Sequence, residues 1–389
     1  MARRRFLVLS ASMGAGHDTV AAELSRRLRA RGDDVLVRDV LTLLPPGAGP
    51  ALRRTYRVMV RRAQWLYAGV YALFLSPGHG GTAPSSTPLA RTAERALLAL
   101  AGRWHPDAVV STFHLAGQVT GRLRERGALS VPAAVFITDF AAHRGWLHPG
   151  NDLHICVTDE VAAAVRDATG RLAVVSGPVV APEFRAAARS VSSASGWASV
   201  FARYGAGRPA VMVSAGAWGA GSALTGTVRS LADHGVLPVL LCGRDGALLR
   251  RASGFHGALA LGWVPDMAPL MVSARVLVDN AAGQTAVQAL AAGVPVVGYR
   301  PIPGHGAEGV RRMAAAGLSV RARDAAGLVA AVGRLAGDGP DRDRLVARGA
   351  TVFRADAADL LTETLFDGRG RLWKSSPEAD ARRRGTPEV

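Results

Sequence analysis

Residues 6–17 read FLVLSASMGAGH, and this stretch decides the fold class of the chain. The apolar run Phe6–Ser10 predicts a short buried strand, and Ser12–His17 predicts a turn that contains glycine. The next segment, Asp18–Arg31, is predicted to be a helix, with Asp18 or Thr19 placed to cap its start. A strand, a glycine-containing turn and a helix in this order are typical of the first unit of a parallel α/β sheet.

The same alternation of short apolar runs and helical segments continues along the chain. In the first half the further predicted strands are Asp34–Asp39, Ala108–Thr112, Ala133–Thr138, Leu153–Val157 and Leu172–Val175. In the second half they are Ala210–Ser214, Leu237–Cys242, Leu259–Leu261, Val276–Asp279 and Val294–Tyr299. This rhythm predicts an α/β protein with two Rossmann-like, doubly wound domains that face a central cleft.

A small, polar stretch at Ser190–Gly196 separates the two halves. We therefore expect an N-terminal domain over residues 1–184, a linker over 185–208 and a C-terminal domain over 209–367. The tail 368–389 contains few apolar residues and is predicted to be disordered.

Composition excludes several classes of protein. The net charge is +17, but lysine occurs only once, at Lys374, and the basic residues are spread over both halves. We therefore predict no nucleic-acid partner.

Two cysteines, Cys156 and Cys242, cannot form a disulfide framework. The longest apolar run, Leu66–Leu75, is too short to span a bilayer, so we expect a cytoplasmic protein that is either soluble or bound to a membrane surface.

One segment, residues 52–74, departs from the α/β rhythm. It carries five arginines and no acidic residue, with apolar residues on the opposite side of a helical wheel. A basic amphipathic helix of this kind suits an anionic membrane surface. The alternative is a helix that packs on its own domain and exposes its basic face to solvent.

Three regions of the N-terminal half place polar residues near the ends of predicted strands. Gly14 and Gly16 let the first turn bend sharply, and the following helix would direct His17 toward the cleft. His114 follows another strand, whereas Asp139, His143 and His148 follow a third. Substrate contacts explain these residues better than a metal site, because the histidine spacings fall in an irregular loop; no metal is predicted.

The C-terminal half repeats glycine-containing turns at the same edge of its predicted sheet. Two or three of them open helices whose free N–H groups suit a diphosphate. These loops are Ser214–Gly221, Gly262–Met267, Asp279–Thr285 with Gln288 on the helix that follows, and Pro301–Glu308.

In this order the motifs resemble those of GT-B glycosyltransferases of family 28. The similarity is to the branch with monogalactosyldiacylglycerol synthase and the bacterial processive diacylglycerol glucosyltransferases, and it covers about residues 5–335. It rests on Gly14–His17 and Thr138–His148 in the first half. In the second half it rests on Gly262–Met267, Gly283–Gly293 and Pro301–Gly304.

This resemblance implies an inverting, metal-independent hexosyltransferase that moves a sugar from a UDP-sugar to a lipid hydroxyl without a cofactor. His17 matches the proposed catalytic base of the family. The residues implied in donor binding are Ser214, Gly216, Trp263, Val264, Gly283, Gln284, Thr285, Gln288, Gly304 and His305. Those implied at the acceptor cleft are Gly14, Gly16, His114, Asp139, His143 and His148.

The sequence departs from the family pattern at three places. Ala15 stands in the first loop, where glycine is common in the family. Gln288 stands where the family carries a glutamate for the ribose hydroxyls, and the family's Pro-Gly-Gln-Glu-Glu stretch is altered over residues 303–308. Three alternatives therefore stay open: a UDP-N-acetylglucosamine 2-epimerase, a transferase for a non-lipid aglycone, and a non-catalytic nucleotide- or lipid-binding protein.

Overall fold

The structure, a computed structural model, describes residues 3–76, 87–189 and 196–366. The predicted disordered tail, 368–389, lies outside the described residues, as does the stretch 190–195 of the predicted linker. The strands of the described residues form two six-stranded sheets, and every strand pairing is parallel. The predicted fold class is confirmed.

The N-terminal sheet has the strand order β2-β1-β3-β4-β5-β6. Its strands are β1 (Arg5–Ser10), β2 (Asp34–Asp39), β3 (Ala108–Ser111), β4 (Ala133–Phe136), β5 (Leu153–Cys156) and β6 (Leu172–Val175). The chain leaves β1 in one direction for β2 and later returns to the other side of β1 with β3. In open α/β sheets ligands bind at such a switch point, beyond the carboxyl ends of the strands.

Helices cover both faces of this sheet. The helices before residue 182 are α1 (Gly16–Ala30), α2 (Ala48–Arg62), α3 (Gln64–Phe74), α4 (Thr87–Trp104), α5 (His114–Glu125) and α6 (Asp159–Thr169), with short 3₁₀ turns at Val40–Leu43 and Arg144–Trp146. The single helix predicted over 52–74 is wrong. Ala63 has φ −135° and ψ 54°, outside the helical region, and divides the segment into α2 and α3.

Helix α7 (Pro182–Arg189) begins just before the predicted linker, and α8 (Gly196–Gly205) lies within it. The second sheet follows with the order β12-β11-β10-β7-β8-β9. Its strands are β7 (Ala210–Ser214), β8 (Leu237–Leu241), β9 (Leu259–Leu261), β10 (Val276–Asp279), β11 (Val296–Gly298) and β12 (Val320–Arg321). Its helices are α9 (Leu224–Ala232), α10 (Gly246–Ala252), α11 (Met267–Val272), α12 (Gln284–Ala291), α13 (His305–Ala315), α14 (Ala325–Ala336) and α15 (Pro340–Ala350).

The last described helix, α16 (Ala357–Phe366), returns to the N-terminal domain. Ala358 and Leu361 are buried in the same apolar cluster as Phe6 of β1. Just before the helix, Asp356 pairs with Arg27 at 3.0 Å. The prediction assigned these residues to the C-terminal domain. The apolar face of α16 instead packs on the face of the first sheet that carries Phe6 and Val8.

The core of the N-terminal domain contains a buried histidine that makes stability depend on pH. His154 lies on β5 without solvent exposure, and neither ring nitrogen makes a hydrogen bond of standard geometry among the described residues. Burial lowers its pKa to about 4, because the charged imidazolium loses its hydration. In the unfolded chain the His154 imidazole takes up a proton below about pH 6.5. In the folded chain it stays neutral until the pH is considerably lower.

We expect the free energy of unfolding to fall as the pH drops from 6.5 toward 4. Between those values the unfolded chain binds more protons than the folded chain, so stability decreases with decreasing pH. For His154 alone the loss between pH 7 and pH 5 is about 2 kcal/mol. Urea denaturation at both pH values measures it in the wild type and in His154→Leu. The same pH slope in both proteins would contradict the assignment.

Candidate active site

A cleft of about 610 Å³ lies between the carboxyl edges of the two sheets. Both domains supply its walls, as the alternating pattern predicts. From the N-terminal domain, the predicted residues that line it are Gly14, Gly16, His17, His114, Asp139 and His143. From the C-terminal domain they are Ser214, Gly216, Trp263, Val264, Gly283, Gln284, Thr285, Gln288 and His305.

His17 lies in the first turn of α1, directly above the end of β1. Its Nδ1 is 2.9 Å from the backbone carbonyl oxygen of Thr112, which follows the neighbouring strand β3. A carbonyl oxygen can only accept a hydrogen bond, so Nδ1 carries the proton. In the neutral ring Nε2 is then unprotonated and can accept a proton. Sequence reasoning did not identify Thr112, because its contribution is a backbone atom.

The surroundings of His17 keep its ring uncharged near neutral pH. Burial lowers its pKa below 6.5, against the opposing effects of Asp139, the Thr112 carbonyl and Asp18. The Phe113 ring packs edge-on against the imidazole, with the ring centroids 4.9 Å apart. A neutral imidazole with a free Nε2 suits a general base.

Asp139 is held in the cleft by a buried tryptophan. Its Oδ2 accepts a hydrogen bond of 2.8 Å from the indole Nε1 of Trp146. His143 Nδ1 accepts a bond of 3.1 Å from the Gly145 N–H, which leaves Nε2 as the protonated nitrogen, 3.6 Å from Asp139 Oδ2. A fixed carboxylate near His17 favours the imidazolium that forms when His17 takes up a proton.

The two other histidines of the N-terminal wall are also neutral. Burial lowers the pKa of His143 to about 3 and that of His114 well below 6.5. Their rings pack edge-to-face with centroids 5.1 Å apart. Within the ranges that the structure describes, no group of three or more metal-ligating side chains could hold a metal ion.

Two predicted site residues do not line the cleft. His148 packs against α5, where Nδ1 accepts a 3.0 Å bond from the Gly150 N–H and Nε2 lies 4.0 Å from Glu125. His148 therefore lies against α5 and not in the cleft that was predicted to hold the acceptor. Gly304 is not part of the cleft wall, because its backbone packs against the ring of Tyr71.

The C-terminal wall presents backbone N–H groups. Helix α12 begins at Gln284, and no side chain caps its first turn. The first N–H groups of a helix lack internal partners, so an uncapped start favours an anion. Buried Asp279 fixes the preceding loop by accepting bonds of 2.9 and 2.6 Å from the N–H groups of Ala281 and Ala282. Gln288 faces the cleft from the next turn of α12.

Residues 48–74, here called the bridging segment, connect the two walls of the cleft. Val60 and Tyr67 are buried in one cluster with Ala220 and Ile302 of the C-terminal domain. Arg61 forms an ion pair with the carboxylate of Asp245, at the start of α10. Contacts at these sequence separations leave no local signal in the sequence. The bridging segment therefore has an inner face, which includes Val60 and Tyr67 and completes the cleft.

The outer face of the bridging segment is exposed and apolar along α3. The side chains of Trp65, Leu66 and Leu73 are 77%, 43% and 51% exposed. The basic residues Arg53, Arg54, Arg57 and Arg62 are exposed on the adjoining helix α2. In the described ranges no helix is both long and apolar enough to cross a membrane.

Structural comparison identifies the architecture. The calicheamicin glycosyltransferase CalG4 matches 96% of this chain and 100% of its own, with TM-score 0.59 and 17% identity. MurG from Acinetobacter baumannii matches 93% of this chain and 99% of its own, with TM-score 0.57 and 15% identity. The chain has the GT-B fold.

Sequence comparison narrows the resemblance within the GT-B proteins. The model of the monogalactosyldiacylglycerol (MGDG) synthase family matches residues 17–172. A processive diacylglycerol beta-glucosyltransferase of Bacillus cereus (strain ATCC 10987) is 24% identical over 93% of both chains. Its counterpart in Bacillus mycoides is 23% identical over the same shares. The resemblance to MGDG synthase and the diacylglycerol glucosyltransferases is confirmed.

The family match covers only part of the GT-B cleft. It includes His17, His114, Asp139 and His143, which form the N-terminal wall. The loops of the C-terminal wall lie outside the matched residues. The roles of individual residues on both walls stay predictions.

Proposed function

We propose that this protein transfers a hexose from a UDP-sugar to a lipid hydroxyl of the diacylglycerol type. The observation that carries the proposal is the His17 ring, whose Nδ1 is held by the Thr112 carbonyl and whose Nε2 is left to accept a proton in the cleft. The uncapped helix α12 opens on the same cleft from the other domain. The resemblance to enzymes that glycosylate diacylglycerol supports the choice of acceptor.

In the proposed reaction His17 acts as general base. Nε2 takes the proton of the acceptor hydroxyl while the oxygen attacks the anomeric carbon of the hexose. The bond between that carbon and the diphosphate oxygen breaks, and UDP leaves. Attack from the face opposite UDP inverts the configuration. Asp139 stabilises the imidazolium, which later returns its proton to solvent.

The C-terminal wall would stabilise the leaving group. The diphosphate gains negative charge as the bond breaks, and helix N–H groups stabilise such charge without reorganising. Gly216, Thr285 and His305 line the part of the cleft that we assign to the diphosphate. No step of this mechanism requires a metal ion or a cofactor.

The apolar part of the cleft supports a lipid acceptor over a polar aglycone. Side chains of the bridging segment and the neighbouring helices form this wall, and they offer few hydrogen-bond partners to a sugar. They are Leu52, Tyr56, Met59, Val60, Val70, Leu75 and Leu89. A diacylglycerol, with one hydroxyl and two acyl chains, matches this distribution of polar and apolar surface.

The exposed face of the bridging segment supports binding to a membrane surface. Tryptophan and leucine beside arginine are typical of helices that lie in an anionic lipid interface. We place the protein on the inner face of the plasma membrane, as a peripheral protein. Nucleic acid is not a proposed partner.

Calorimetric titration with UDP, UDP-glucose, UDP-galactose and UDP-N-acetylglucosamine tests the donor site. We expect UDP to bind and one UDP-sugar to be preferred. Replacing Gln288 by alanine should weaken UDP binding by about tenfold, since it removes side-chain hydrogen bonds at the proposed ribose contact. No binding of any of the four ligands would contradict a UDP-sugar donor. Conversion of UDP-N-acetylglucosamine to its epimer without acceptor would favour the epimerase instead.

A further inference from the structure

A tyrosine of the bridging segment contacts a histidine of the opposite domain. The Tyr67 hydroxyl lies 2.6 Å from Nδ1 of His305, and the two rings pack edge-to-face with centroids 5.7 Å apart. Both residues line the cleft. His305 is the first residue of α13, so its ring stands at the start of a helix. The predicted donor site is therefore completed from the N-terminal domain.

The surroundings of Tyr67 keep its hydroxyl in one place. Only 5% of the side chain is exposed, and the rings of Tyr56 and Tyr71 have centroids 5.4 and 6.5 Å away. Burial raises the pKa of Tyr67 far above its usual value, so the hydroxyl keeps its proton. Burial also lowers the pKa of His305, so the imidazole is neutral near pH 7.

A neutral imidazole has one protonated nitrogen, and the Tyr67 hydroxyl can either donate a hydrogen bond to Nδ1 or accept one from it. When the hydroxyl donates to Nδ1, the proton of His305 is on Nε2. Among the described residues Nε2 has no hydrogen-bond partner of its own. A ring fixed in this tautomer at the start of α13 presents an N–H donor to an anion in the cleft.

The position of α13 against α3 is also constrained. Gly304 has φ +79°, and a Cβ there would come 2.6 Å from Cγ of Tyr71. A side chain at position 304 would therefore push the bridging segment away from the loop. The close approach brings Tyr67, one turn earlier on α3, within reach of His305.

We propose that Tyr67 is a positioning residue for the donor: its hydroxyl fixes the His305 tautomer, and the His305 Nε2–H donates to the diphosphate of a bound nucleoside diphosphate. This inference rests on the proposed function. If Tyr67 has this role, the affinity for the diphosphate depends on a residue of the N-terminal domain. That domain is also proposed to bind the acceptor and the membrane.

The test compares UDP with uridine, which lacks the diphosphate. In the full-length protein, Tyr67→Phe retains the ring and removes only the hydroxyl. We expect the Kd for UDP to rise about threefold to tenfold, the usual effect of one lost hydrogen bond, and the Kd for uridine to stay unchanged. Tyr71→Phe is the matched control, because it removes a hydroxyl from the next turn of the same helix. It should change neither Kd.

A double-mutant cycle separates positioning from general structural damage. In a His305→Ala background, Tyr67→Phe should have no further effect on UDP affinity, because the hydroxyl acts only through that ring. The ¹⁵N shifts of His305 should show a protonated Nε2 in the wild type and a mixture of tautomers in Tyr67→Phe. A His305 ring protonated on Nδ1 in the wild type would overturn the inference.

The outcomes also distinguish this inference from the proposed function. If the wild type binds UDP and Tyr67→Phe binds it equally well, the role of Tyr67 is wrong while the donor site stands. Equal losses for UDP and uridine would also overturn the role of Tyr67, since they would indicate a damaged cleft. If the wild type does not bind UDP, the proposed donor and this inference fail together.

Discussion

Replacing His17 by alanine is expected to lower kcat for lipid glycosylation by about 10²–10⁴-fold, the usual contribution of a general base. The Thr112 carbonyl fixes Nδ1 as the protonated nitrogen, so no other atom of the ring can deprotonate the acceptor. The loss should appear in kcat rather than in donor affinity, because the predicted UDP contacts come from the other domain. Turnover with UDP-sugar and diacylglycerol in vesicles measures kcat, and calorimetry measures the Kd for UDP.

The pH dependence of the wild type provides a second check on His17. A base must be unprotonated, so activity should fall as the pH decreases through its pKa. Burial lowers that pKa, so the midpoint of the acid limb should lie below 6.5. A His17→Ala protein that retains wild-type kcat would contradict the mechanism. So would a wild-type acid limb centred above pH 6.5.

Removing the exposed apolar side chains of α3 is expected to abolish most membrane binding. Trp65, Leu66 and Leu73 form one outward face of the helix, and burying such side chains in a lipid interface stabilises the bound state. Replacing all three by serine should weaken binding to vesicles that contain anionic lipid by at least about 100-fold. The folded protein should remain stable, because these side chains are exposed. Sedimentation with vesicles measures the bound fraction.

Charge and location provide the controls for this experiment. Arginines beside the apolar face should each add about 1 kcal/mol on an anionic surface, so wild-type binding should weaken in high salt and on vesicles without anionic lipid. Tyr204→Ser is the matched control, since Tyr204 is 56% exposed on α8, outside the bridging segment. Equal binding by the triple variant and the wild type would contradict the proposed membrane face.

The sequence predicts the parts of the site that depend on local order along the chain. The end of β1, the turn at Gly14–Gly16 and His17 follow one another within a few residues, so the pattern is enough to place them at the edge of the sheet. The same holds for the glycine-containing loops that open α12 and α13. Local patterns of this kind fix strands, turns and helix starts.

Contacts between distant residues explain most of what the sequence did not predict. Nothing near His17 indicates that a carbonyl 95 residues later fixes its tautomer. The Tyr67–His305 contact joins residues 238 positions apart. Likewise, the apolar face of α16 gives no sign of which domain it covers, because amphipathicity specifies burial and not the partner.

The bridging segment shows how one pattern can serve two environments. A basic amphipathic sequence predicted either a membrane contact or packing on the protein itself. The break at Ala63 lets α2 and α3 present different faces, so that Val60 and Tyr67 pack on the C-terminal domain while Trp65 and Leu73 are exposed. The packing is observed, and the membrane contact is our proposal.

The most direct test of the proposed function is transfer of labelled sugar to lipid. The wild type would be incubated with vesicles that contain diacylglycerol and anionic lipid, and with radiolabelled UDP-glucose, UDP-galactose or UDP-N-acetylglucosamine in turn. We predict a labelled glycolipid with at least one of these donors, dependent on diacylglycerol and reduced to background in His17→Ala. Wild-type protein that binds UDP and the vesicles, yet labels no lipid with any of the three donors, would contradict the proposal.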